Sequence, residues 1–455
     1  MARLLKSLRN FLGSSSSSIP TPSPSTPSPS PSIASSRSRF PRSIDTDFSV
    51  FREGDRVVIN NVKKRQPMLT APLRRGHKID TPRGILDPDR IIGRGPREII
   101  PTHKGTRFLI TLPTLEQYIS MTPRHVTPIY AKDANVIVSL LDLHVAQPGE
   151  GDLTDGPASL QILESGTGHG ALTLHLSRAI QAANTLPPLL PTASQVKYLE
   201  QPPEEPKEAE EDLEQEDQAQ RQQEEQEQEQ WDTWRATRRA IIHTVEVSPI
   251  FSRHAEKLIR GFRRGIYAGN IDFYVGRVEN WVSDQIKKNS SQAFQPFLTH
   301  AILDMPSAHL RIPHVASVLK PNGILAVFMP SVTQITECAM YIRKHGIPLE
   351  LDKVVELGTG ISGGRTWDVR FAVKKSKADP GWDSANDPSG SEVITEESGS
   401  ESVGGEDGGR AQAGPVANAK EEPVLVCRPL AGQLIGAGGF VGVWRKLHIP
   451  SSSGV

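Results

Sequence analysis

Three glycines within five residues follow a short apolar run in the first half of the chain. The run LQILE spans Leu160–Glu164, and Gly166, Gly168 and Gly170 come next, before an apolar helical pattern begins at Ala171. Glycine lets a backbone approach a ligand closely, and a helix N-terminus attracts negative charge. The spacing is G-x-G-x-G, one residue shorter than the G-x-G-x-x-G of dinucleotide-binding turns. The sequence therefore predicts a ligand-binding turn and disfavours an NAD-dependent oxidoreductase.

Two acidic residues end later apolar runs. Glu246 closes the segment HTVEV, and Asp304 stands in LDMP. In sheets of this kind, an acid at the end of the second strand, about 20 residues beyond the glycines, hydrogen-bonds ribose hydroxyls. Glu246 lies much farther along, but removing the tract from Asn184 to Arg235 restores the expected spacing. An acid at the tip of a later strand, such as Asp304, faces the ligand crevice. We therefore expect a ligand that contains a ribose.

The surrounding pattern predicts an α/β fold with a mostly parallel, Rossmann-like sheet. Helical periodicity runs through His254–Gly265 and Ser331–Gly346. Short strand patterns between Phe48 and Leu112, separated by glycine, proline and basic turns, predict a small N-terminal β domain. Five near-continuous apolar segments predict the strands of the main sheet: Leu160–Glu164, Ile241–Val247, Ile271–Gly276, Ala301–Met305 and Gly323–Met329.

The formal net charge of zero hides a strong segregation of charge along the 455 residues. Residues 1–43 carry six basic side chains and no acidic one. Glu200–Asp232 carries 15 acidic and 2 basic residues, and Asp379–Glu422 carries 11 acidic and 2 basic ones. The rest of the chain is therefore strongly basic. A basic body whose acidic charge is confined to tracts suits a polyanionic partner such as a nucleic acid.

Composition divides the chain further. Residues 184–235 form an acidic Gln/Glu-rich insertion, and residues 375–422 form a second, disordered acidic insertion. Neither composition predicts a buried core. The predicted domains are a transit-like disordered segment (1–43), the small β domain (48–112) and a catalytic α/β domain in three pieces (113–183, 236–374 and 423–449).

Residues 1–43 are also the basis for a prediction of location. Leu4, Leu8 and Phe11 lie on one face of a helical pattern that is rich in arginine and serine and lacks acids, which is typical of a mitochondrial transit peptide. A nuclear location is the alternative.

Cys338 and Cys427 are too few for a disulfide framework, and no histidine spacing predicts a metal site. No apolar run is long enough to span a bilayer, so no membrane association is expected.

Six stretches, in order along about 300 residues, resemble the TrmI-type tRNA (adenine-N1)-methyltransferases, in a form that looks fungal and mitochondrial. The resemblance implies a class I S-adenosylmethionine-dependent methyltransferase fold with a small N-terminal β domain. It also implies methylation of N1 of adenine 58 in the tRNA T-loop, and a tetramer of identical subunits or of active and inactive ones. The six stretches are FREGDRVVI, ILDPDRIIGRG with THKGTRFLITLPTLEQYI, RHVTPIYAKDANVIVSLLDL, ILESGTGHGALTLHLSRAI, AILDMP and VCRPLAGQLIGAGGFVGVWRK.

The same resemblance implies roles for individual residues. Asp304 would lie beside the transferred methyl group and accept a hydrogen bond from the amine of the target adenine, and Tyr130 would shape the pocket for that base. Glu246 would bind the ribose hydroxyls of S-adenosylmethionine. No metal is implied. The remaining predicted cofactor-binding residues are Glu164, Gly166, Thr167, Gly168, His169, Gly170 and Ala171 around the turn, with Arg277 and Val278 beside the cofactor's adenine.

Two alternatives stay open at this point. One is a class I methyltransferase that acts on another RNA base or on a protein. The other is a non-catalytic RNA-binding subunit, because the family pairs active with inactive subunits. The intact glycine turn and Asp304 favour the active subunit.

Overall fold

The structure is a computed structural model that describes residues 44–61, 67–147, 158–200, 216–288, 294–358, 367–372, 424–429 and 438–448. The predictions for residues 1–43 and 375–422 lie outside these ranges. The exact domain bounds predicted from composition stay a prediction.

The N-terminal part forms a small antiparallel sheet, as the sequence predicts. The sheet has the order β2-β1-β6-β5, and β3 and β4 form a separate hairpin. Phe51, Ile59 and Ile110 are almost fully buried at the centre of its own apolar core. The strands are β1 (Val58–Asn61), β2 (Met68–Leu69), β3 (Ile79–Thr81), β4 (Gly84–Leu86), β5 (Ile99–Pro101) and β6 (Arg107–Thr111).

Two helices, α1 (Leu115–Met121) and α2 (Ala131–Leu140), lead from this sheet into the main body. Thr114 starts α1 with a capping box, because its Oγ1 accepts from the Gln117 amide at 3.1 Å while the Gln117 side chain accepts from the Thr114 amide at 3.0 Å. The Tyr118 hydroxyl donates to the Leu258 carbonyl at 2.8 Å, which joins α1 to the main body.

The main body is an eight-stranded sheet in the order β13-β16-β12-β11-β7-β9-β10-β8. All neighbouring strands are parallel except where β16 pairs with β12 and β13. The predicted Rossmann-like fold is confirmed. The strands are β7 (Leu160–Ser165), β8 (Val196–Tyr198), β9 (Ala240–Glu246), β10 (Ile271–Val275), β11 (Leu298–Leu303), β12 (Leu319–Met329), β13 (Leu349–Leu357) and β16 (Gly439–Lys446).

Helices connect the parallel strands and cover both faces of the sheet with apolar side chains. Cys338, on the last of them, is buried and free, as expected for a core residue. Strands β14 (Trp367–Ala372) and β15 (Val424–Pro429) form a separate antiparallel pair. The helices are α3 (Ala171–Ile180), α4 (Glu216–Ala236), α5 (Pro249–Gly261), α6 (Val278–Lys288), α7 (Ile312–Val318) and α8 (Val332–Lys344).

The acidic insertion is folded onto the main sheet at both described ends. Strand β8 lies parallel to β10, with Tyr198 opposite Val275. Trp231 and Trp234, at the end of α4, are 3% and 1% exposed. The described part of residues 184–235 therefore contributes buried side chains, although its composition predicts no buried core. The cause is local, because two tryptophans and one short strand carry the packing while the average composition stays strongly polar.

A buried ionic network also ties α4 to the sheet. Arg235 and Arg238 donate to the Asp272 carboxylate at 2.6 and 2.9 Å. Burial alone would raise the pKa of Asp272, but the nearby charges of Arg238 and then Arg235 outweigh it and hold the pKa well below its ordinary range. Removing one partner of such a buried pair leaves an uncompensated charge, so the network fixes α4 in place.

Truncation of Trp234 is expected to destabilise the fold substantially. The ring packs against Gly269, and its Nε1 donates to Thr185 Oγ1 at 2.9 Å. We expect Trp234→Ala to lower the free energy of unfolding by about 3–5 kcal/mol. The matched control, Gln222→Ala on the exposed part of α4, should change it by less than about 0.5 kcal/mol. Urea unfolding measures both, and equal values for the two variants would contradict the structural role of the insertion.

Candidate active site

The glycine turn lies between β7 and α3 and touches two other segments. A Cβ on Gly166, whose φ is 97°, would overlap the carbonyl oxygen of Asp304. A Cβ on Gly170, with φ 83°, would lie 2.9 Å from the Cβ of Ala255 on α5. The Asp304 amide also donates to the Ser165 carbonyl at 2.9 Å. The turn therefore requires glycine at these positions, and it brings Asp304 directly beside it.

Glu164 is held by two hydroxyl groups at the end of β7. Its Oε2 accepts from Thr173 Oγ1 at 2.6 Å and from Thr244 Oγ1 at 2.7 Å, while Thr244 Oγ1 also bonds Thr167 Oγ1 at 2.6 Å. The residue is 1% exposed. Burial raises the pKa of its carboxyl to about 7, the two hydroxyl bonds oppose the rise, and the charges of Asp304 and Glu246 add to it.

Glu246 ends β9 and binds the backbone around the turn. Its Oε2 accepts from the Gly168 amide at 3.0 Å, and its Oε1 accepts from the Ser248 amide at 3.0 Å. A carboxylate has about four acceptor sites, so acceptor capacity is left for two ligand hydroxyls. Val247, which follows directly, is 61% exposed and offers an apolar surface beside the carboxylate.

Asp304 follows β11 and completes a group of three carboxyls at the carboxyl edge of the sheet. It is half-buried. Desolvation raises the pKa of Asp304 to about 7, and the charge of Glu246 raises it further. Three neighbouring carboxyls, two of which have a raised pKa, form a site that a positively charged ligand would stabilise.

His169 lies inside the turn, and the structure supplies no proton acceptor for it. The side chain is 2% exposed, neither ring nitrogen has a hydrogen-bond partner, and its ring lies 5.6 Å from that of His254. Burial lowers the pKa of His169 to about 4, and the charge of His254 lowers it further. These features agree with a packing role and not with a general base. Among the described residues, no group of His, Cys, Asp and Glu side chains could hold a metal ion.

The segment before α2 lies over the glycine turn. A Cβ on Gly168 would be 3.5 Å from Val126 Cγ2. Tyr130 stands at the N-cap of α2, and its hydroxyl accepts from Arg124 Nη1 at 2.6 Å. The structure thus places the segment that carries Tyr130 next to the turn, and it gives the phenol a cationic partner.

Arg277 and Val278 have different environments, although they are neighbours in sequence. Arg277 is exposed where β10 ends, and Val278 is 1% exposed inside the apolar core. The Gly276 amide donates to the Glu246 carbonyl at 2.9 Å, so this strand end lies beside Glu246. The backbone at Arg277 therefore lies close to Glu246, and the cofactor-binding roles of Arg277 and Val278 stay predictions. Ala171 is buried at the start of α3.

Sequence reasoning missed several residues that complete the site. Thr244 was recognisable, since it lies two residues before Glu246 and alternate strand residues share a face. Thr173 lies in the first turn of α3, nine residues after Glu164. Arg124 and His254 meet the site only through tertiary contacts, so the sequence carries no local signal for them.

A separate cavity lies at the opposite edge of the sheet. It is lined by residues at or near the amino ends of strands, including Leu160 in β7, Thr299 in β11 and Gly323 in the first half of β12. Ligands of parallel α/β sheets bind outside the carboxyl ends of the strands, so the three-carboxyl edge is the better candidate site.

No described helix is long and apolar enough to cross a membrane.

Alanine substitutions at Gly166 and Gly54 distinguish steric overlap from backbone strain, because both glycines have a positive φ but only Gly166 has a close neighbour. We expect Gly166→Ala to abolish measurable binding of S-adenosylhomocysteine, because the new methyl group would displace the Asp304 backbone. Gly54→Ala is the matched control, since Gly54 has a φ of 86° and nothing within 4 Å of its would-be Cβ. Calorimetric titration measures both variants. Unchanged binding by Gly166→Ala would show that the turn does not form the ligand site.

The sheet order, with antiparallel β16 inserted between β12 and β13, is the arrangement of the class I methyltransferase fold. The chain is 24% identical over 291 residues to the tRNA (adenine(58)-N(1))-methyltransferases TrmI of two strains of Thermus thermophilus. The match covers 64% of this chain and 79% of each relative. The match shows that this protein is similar in sequence to these TrmI methyltransferases. No protein-family model matches the chain.

Two solved structures are similar over most of the chain. The tRNA (m1A58) methyltransferase TrmI of Aquifex aeolicus has a TM-score of 0.44 at 16% identity, and the match covers 88% of this chain and 100% of that one. An S-adenosylmethionine-dependent O-methyltransferase of Thermotoga maritima has a TM-score of 0.47 at 15% identity, with coverages of 89% and 97%.

Proposed function

We propose that this protein transfers a methyl group from S-adenosylmethionine to N1 of adenine 58 in tRNA. The observation that carries the proposal is the combination of the TrmI similarity over 79% of the relatives' length with an intact turn and three clustered carboxyls. Any one of these features alone would be compatible with other class I methyltransferases.

The residues at the carboxyl edge fit S-adenosylmethionine. The glycine turn leaves room for close approach, Glu246 keeps acceptor sites for ribose hydroxyls, and Val247 offers an apolar surface for the base. When bound, the cofactor supplies a methyl group on a positively charged sulfur. In their deprotonated forms, Glu164 and Asp304 would place negative charge beside this cation. The cation would in turn stabilise the deprotonated forms of both carboxyls.

Asp304 is the group that we assign to the target base. N1 of adenine attacks with its in-plane lone pair, and the product carries a positive charge on the base. A deprotonated Asp304 that accepts from the exocyclic amine would align N1 with the methyl group and stabilise that charge. Catalysis then rests on positioning and on a preorganised negative charge.

Tyr130 and Arg124 would form the entrance for the base. N1 lies on the Watson–Crick edge, so the adenine must leave its stack before it can react. Aromatic side chains commonly hold such unstacked bases. The Arg124 bond to the Tyr130 hydroxyl would fix the orientation of the ring.

A basic surface of the small β domain is suited to the tRNA backbone. The Thr102 hydroxyl donates to the Arg83 carbonyl at 3.4 Å, and a Cβ on Gly84 would lie 3.3 Å from Lys104, so Arg83 and Lys104 sit close together. Both side chains are exposed, as are Arg90 and Arg107 nearby. Lysine and arginine that neutralise phosphates release counterions, so we expect affinity for tRNA to fall steeply with salt.

One experiment tests the proposed function. The purified protein is incubated with unmodified tRNA and labelled S-adenosylmethionine, and the modified position is mapped by reverse transcription. We expect one methyl group at N1 of adenine 58 and none on a tRNA that carries guanine there. Label on another base or on a protein would support the alternative substrates instead. No transfer, even with partner subunits added, would overturn the proposal.

We infer that the protein works as a tetramer, as the family resemblance suggests; a mitochondrial location would favour identical subunits over a mixture of active and inactive ones. Light scattering after size-exclusion chromatography measures the assembly. A monomer that becomes active only with a second, different chain would favour a mixed tetramer of active and inactive subunits.

We propose mitochondrial targeting by residues 1–43. Fusion of these residues to a fluorescent protein should direct it to mitochondria, and their removal should leave the enzyme in the cytosol. Nuclear accumulation of the full chain would favour the alternative location.

A further inference from the structure

The inserted strand β8 extends the sheet on the side of the cofactor's base. The order β7-β9-β10-β8 starts at the glycine turn and passes Glu246. With the ribose bound by Glu246, as proposed, the attached base would continue toward the ends of β10 and β8. Strands are about 4.8 Å apart, so the end of β8 lies roughly two spacings from that of β9, a distance similar to the length of adenosine.

Backbone bonds join the three strand ends side by side. The Gly276 amide donates to the Glu246 carbonyl at 2.9 Å, and the Leu199 amide donates to the Val275 carbonyl at 3.0 Å. A Cβ on Gly276 would lie 2.8 Å from Leu199 Cδ1. Glu200, the next residue, therefore stands at the same edge as Glu246 and beside the place where Arg277 leaves β10.

The base presents an exocyclic amine, which donates hydrogen bonds and needs an acceptor. Arg277 cannot accept, because its guanidinium carries only donors. Glu200 is exposed, and its Oε1 accepts from Asn280 Nδ2 at 2.6 Å. This bond holds the carboxylate next to the first turn of α6, and the other acceptor sites of the carboxylate remain available for a ligand.

Glu279 is a competing acid on the same turn. Its Oε1 lies 3.0 Å from Arg311 Nε, and its Oε2 is buried without a hydrogen-bond partner. Glu200 is exposed just after the outermost strand, whereas Glu279 is paired with Arg311, so the test must separate the two acids.

We propose that Glu200 accepts a hydrogen bond from the exocyclic amine of the cofactor's adenine. The inference rests on the proposed function, since it requires S-adenosylmethionine at this edge. It assigns a role to the acidic insertion: the strand anchored beside Trp234 and Asp272 supplies a side chain to the cofactor pocket.

The test compares two ligands that differ at the amine. Dissociation constants of S-adenosylhomocysteine and S-inosylhomocysteine, in which a carbonyl replaces the amine, are measured by calorimetry. Glu200→Gln should weaken binding of S-adenosylhomocysteine by about 10-fold, because the neutral amide oxygen is a weaker acceptor than the carboxylate. Its binding of S-inosylhomocysteine should be unchanged or tighter, because the new amide can donate to the carbonyl.

Two further variants keep the result interpretable. Glu225→Gln makes the same charge change on the exposed face of α4 and should leave both dissociation constants unchanged. Glu279→Gln tests the competing acid. Equal weakening of both ligands by Glu200→Gln, or loss of discrimination in Glu279→Gln alone, would overturn the proposal for Glu200. Failure of the wild-type protein to bind S-adenosylhomocysteine would overturn the proposed function as well.

Discussion

Replacement of Asp304 by alanine is expected to lower kcat/KM for methyl transfer to tRNA by about 10³-fold, the usual effect of removing one preorganised electrostatic contact. The carboxyl lies beside the glycine turn through the contact of its backbone with Gly166 and Ser165. Binding of neutral S-adenosylhomocysteine should change far less, because the fold of the turn does not depend on the carboxylate. Initial rates with radiolabelled cofactor measure the first effect, and calorimetry measures the second.

The pH profile gives a second readout for the same residue. With the pKa of Asp304 raised to about 7, the active carboxylate forms above pH 7 and is lost as the pH falls below it. Since kcat/KM reports the free enzyme, its acid limb should lie near pH 7. Glu164 contributes to the same limb, so Asp304→Asn should make the limb shallower without removing it.

A surface variant serves as the control for Asp304. Asp284→Ala removes a carboxylate on α6 that faces Lys287 at 3.8 Å, and it should leave the rate and the profile unchanged. An Asp304→Ala enzyme with wild-type kcat/KM would contradict the role assigned to this residue.

Replacement of Glu164 by glutamine is expected to stabilise the free protein and to weaken cofactor binding. Burial raises the pKa of this carboxyl from an ordinary value of 4.5 to about 7. A raised pKa means that the contribution of the group to stability is present below pH 4.5 and is lost as the pH rises through 7. A shift of this size corresponds to about 3 kcal/mol above pH 7, which the neutral amide would recover.

The same substitution removes a negative charge from the cofactor site. We expect affinity for S-adenosylmethionine at pH 8 to fall by about 10- to 100-fold, since a hydrogen bond to a charged group contributes roughly 1.5–3 kcal/mol. Thermal unfolding between pH 5 and 8 without cofactor, together with calorimetric titration, measures both effects. Glu116→Gln, at an exposed position in α1, should show neither. A destabilised Glu164→Gln protein at pH 8 would mean that the buried carboxyl is not strained.

The prediction from sequence was accurate where the signal is local and periodic. The strand that ends in Glu164, the helix after Gly170 and the strand that ends in Glu246 all lie within one or two residues of their predicted bounds. Apolar runs and glycine turns report mainly on neighbouring residues, so they can be read without the fold. The roles inferred for the individual site residues stay predictions that the variants above test.

The acidic insertion shows where composition misleads. A run of glutamate and glutamine predicts solvated chain, but burial is decided residue by residue. Trp234 and Arg235 at the end of the run find partners in Gly269 and Asp272, which lie more than thirty residues away in sequence. Nothing in the tract itself identifies those partners.

The sequence by itself determined the class of sheet, the ligand-binding turn and the acids at strand ends, because each follows from periodicity and from residue type at a chain position. Only the tertiary structure decided which side chains share the site. The contact of Gly166 with Asp304, the bond from Thr244 to Glu164 and the position of Glu200 beside Asn280 all join segments distant in sequence. The raised pKa values of Glu164 and Asp304 likewise arise from burial and from the charges of neighbouring carboxyls, which exist only once the sheet has assembled.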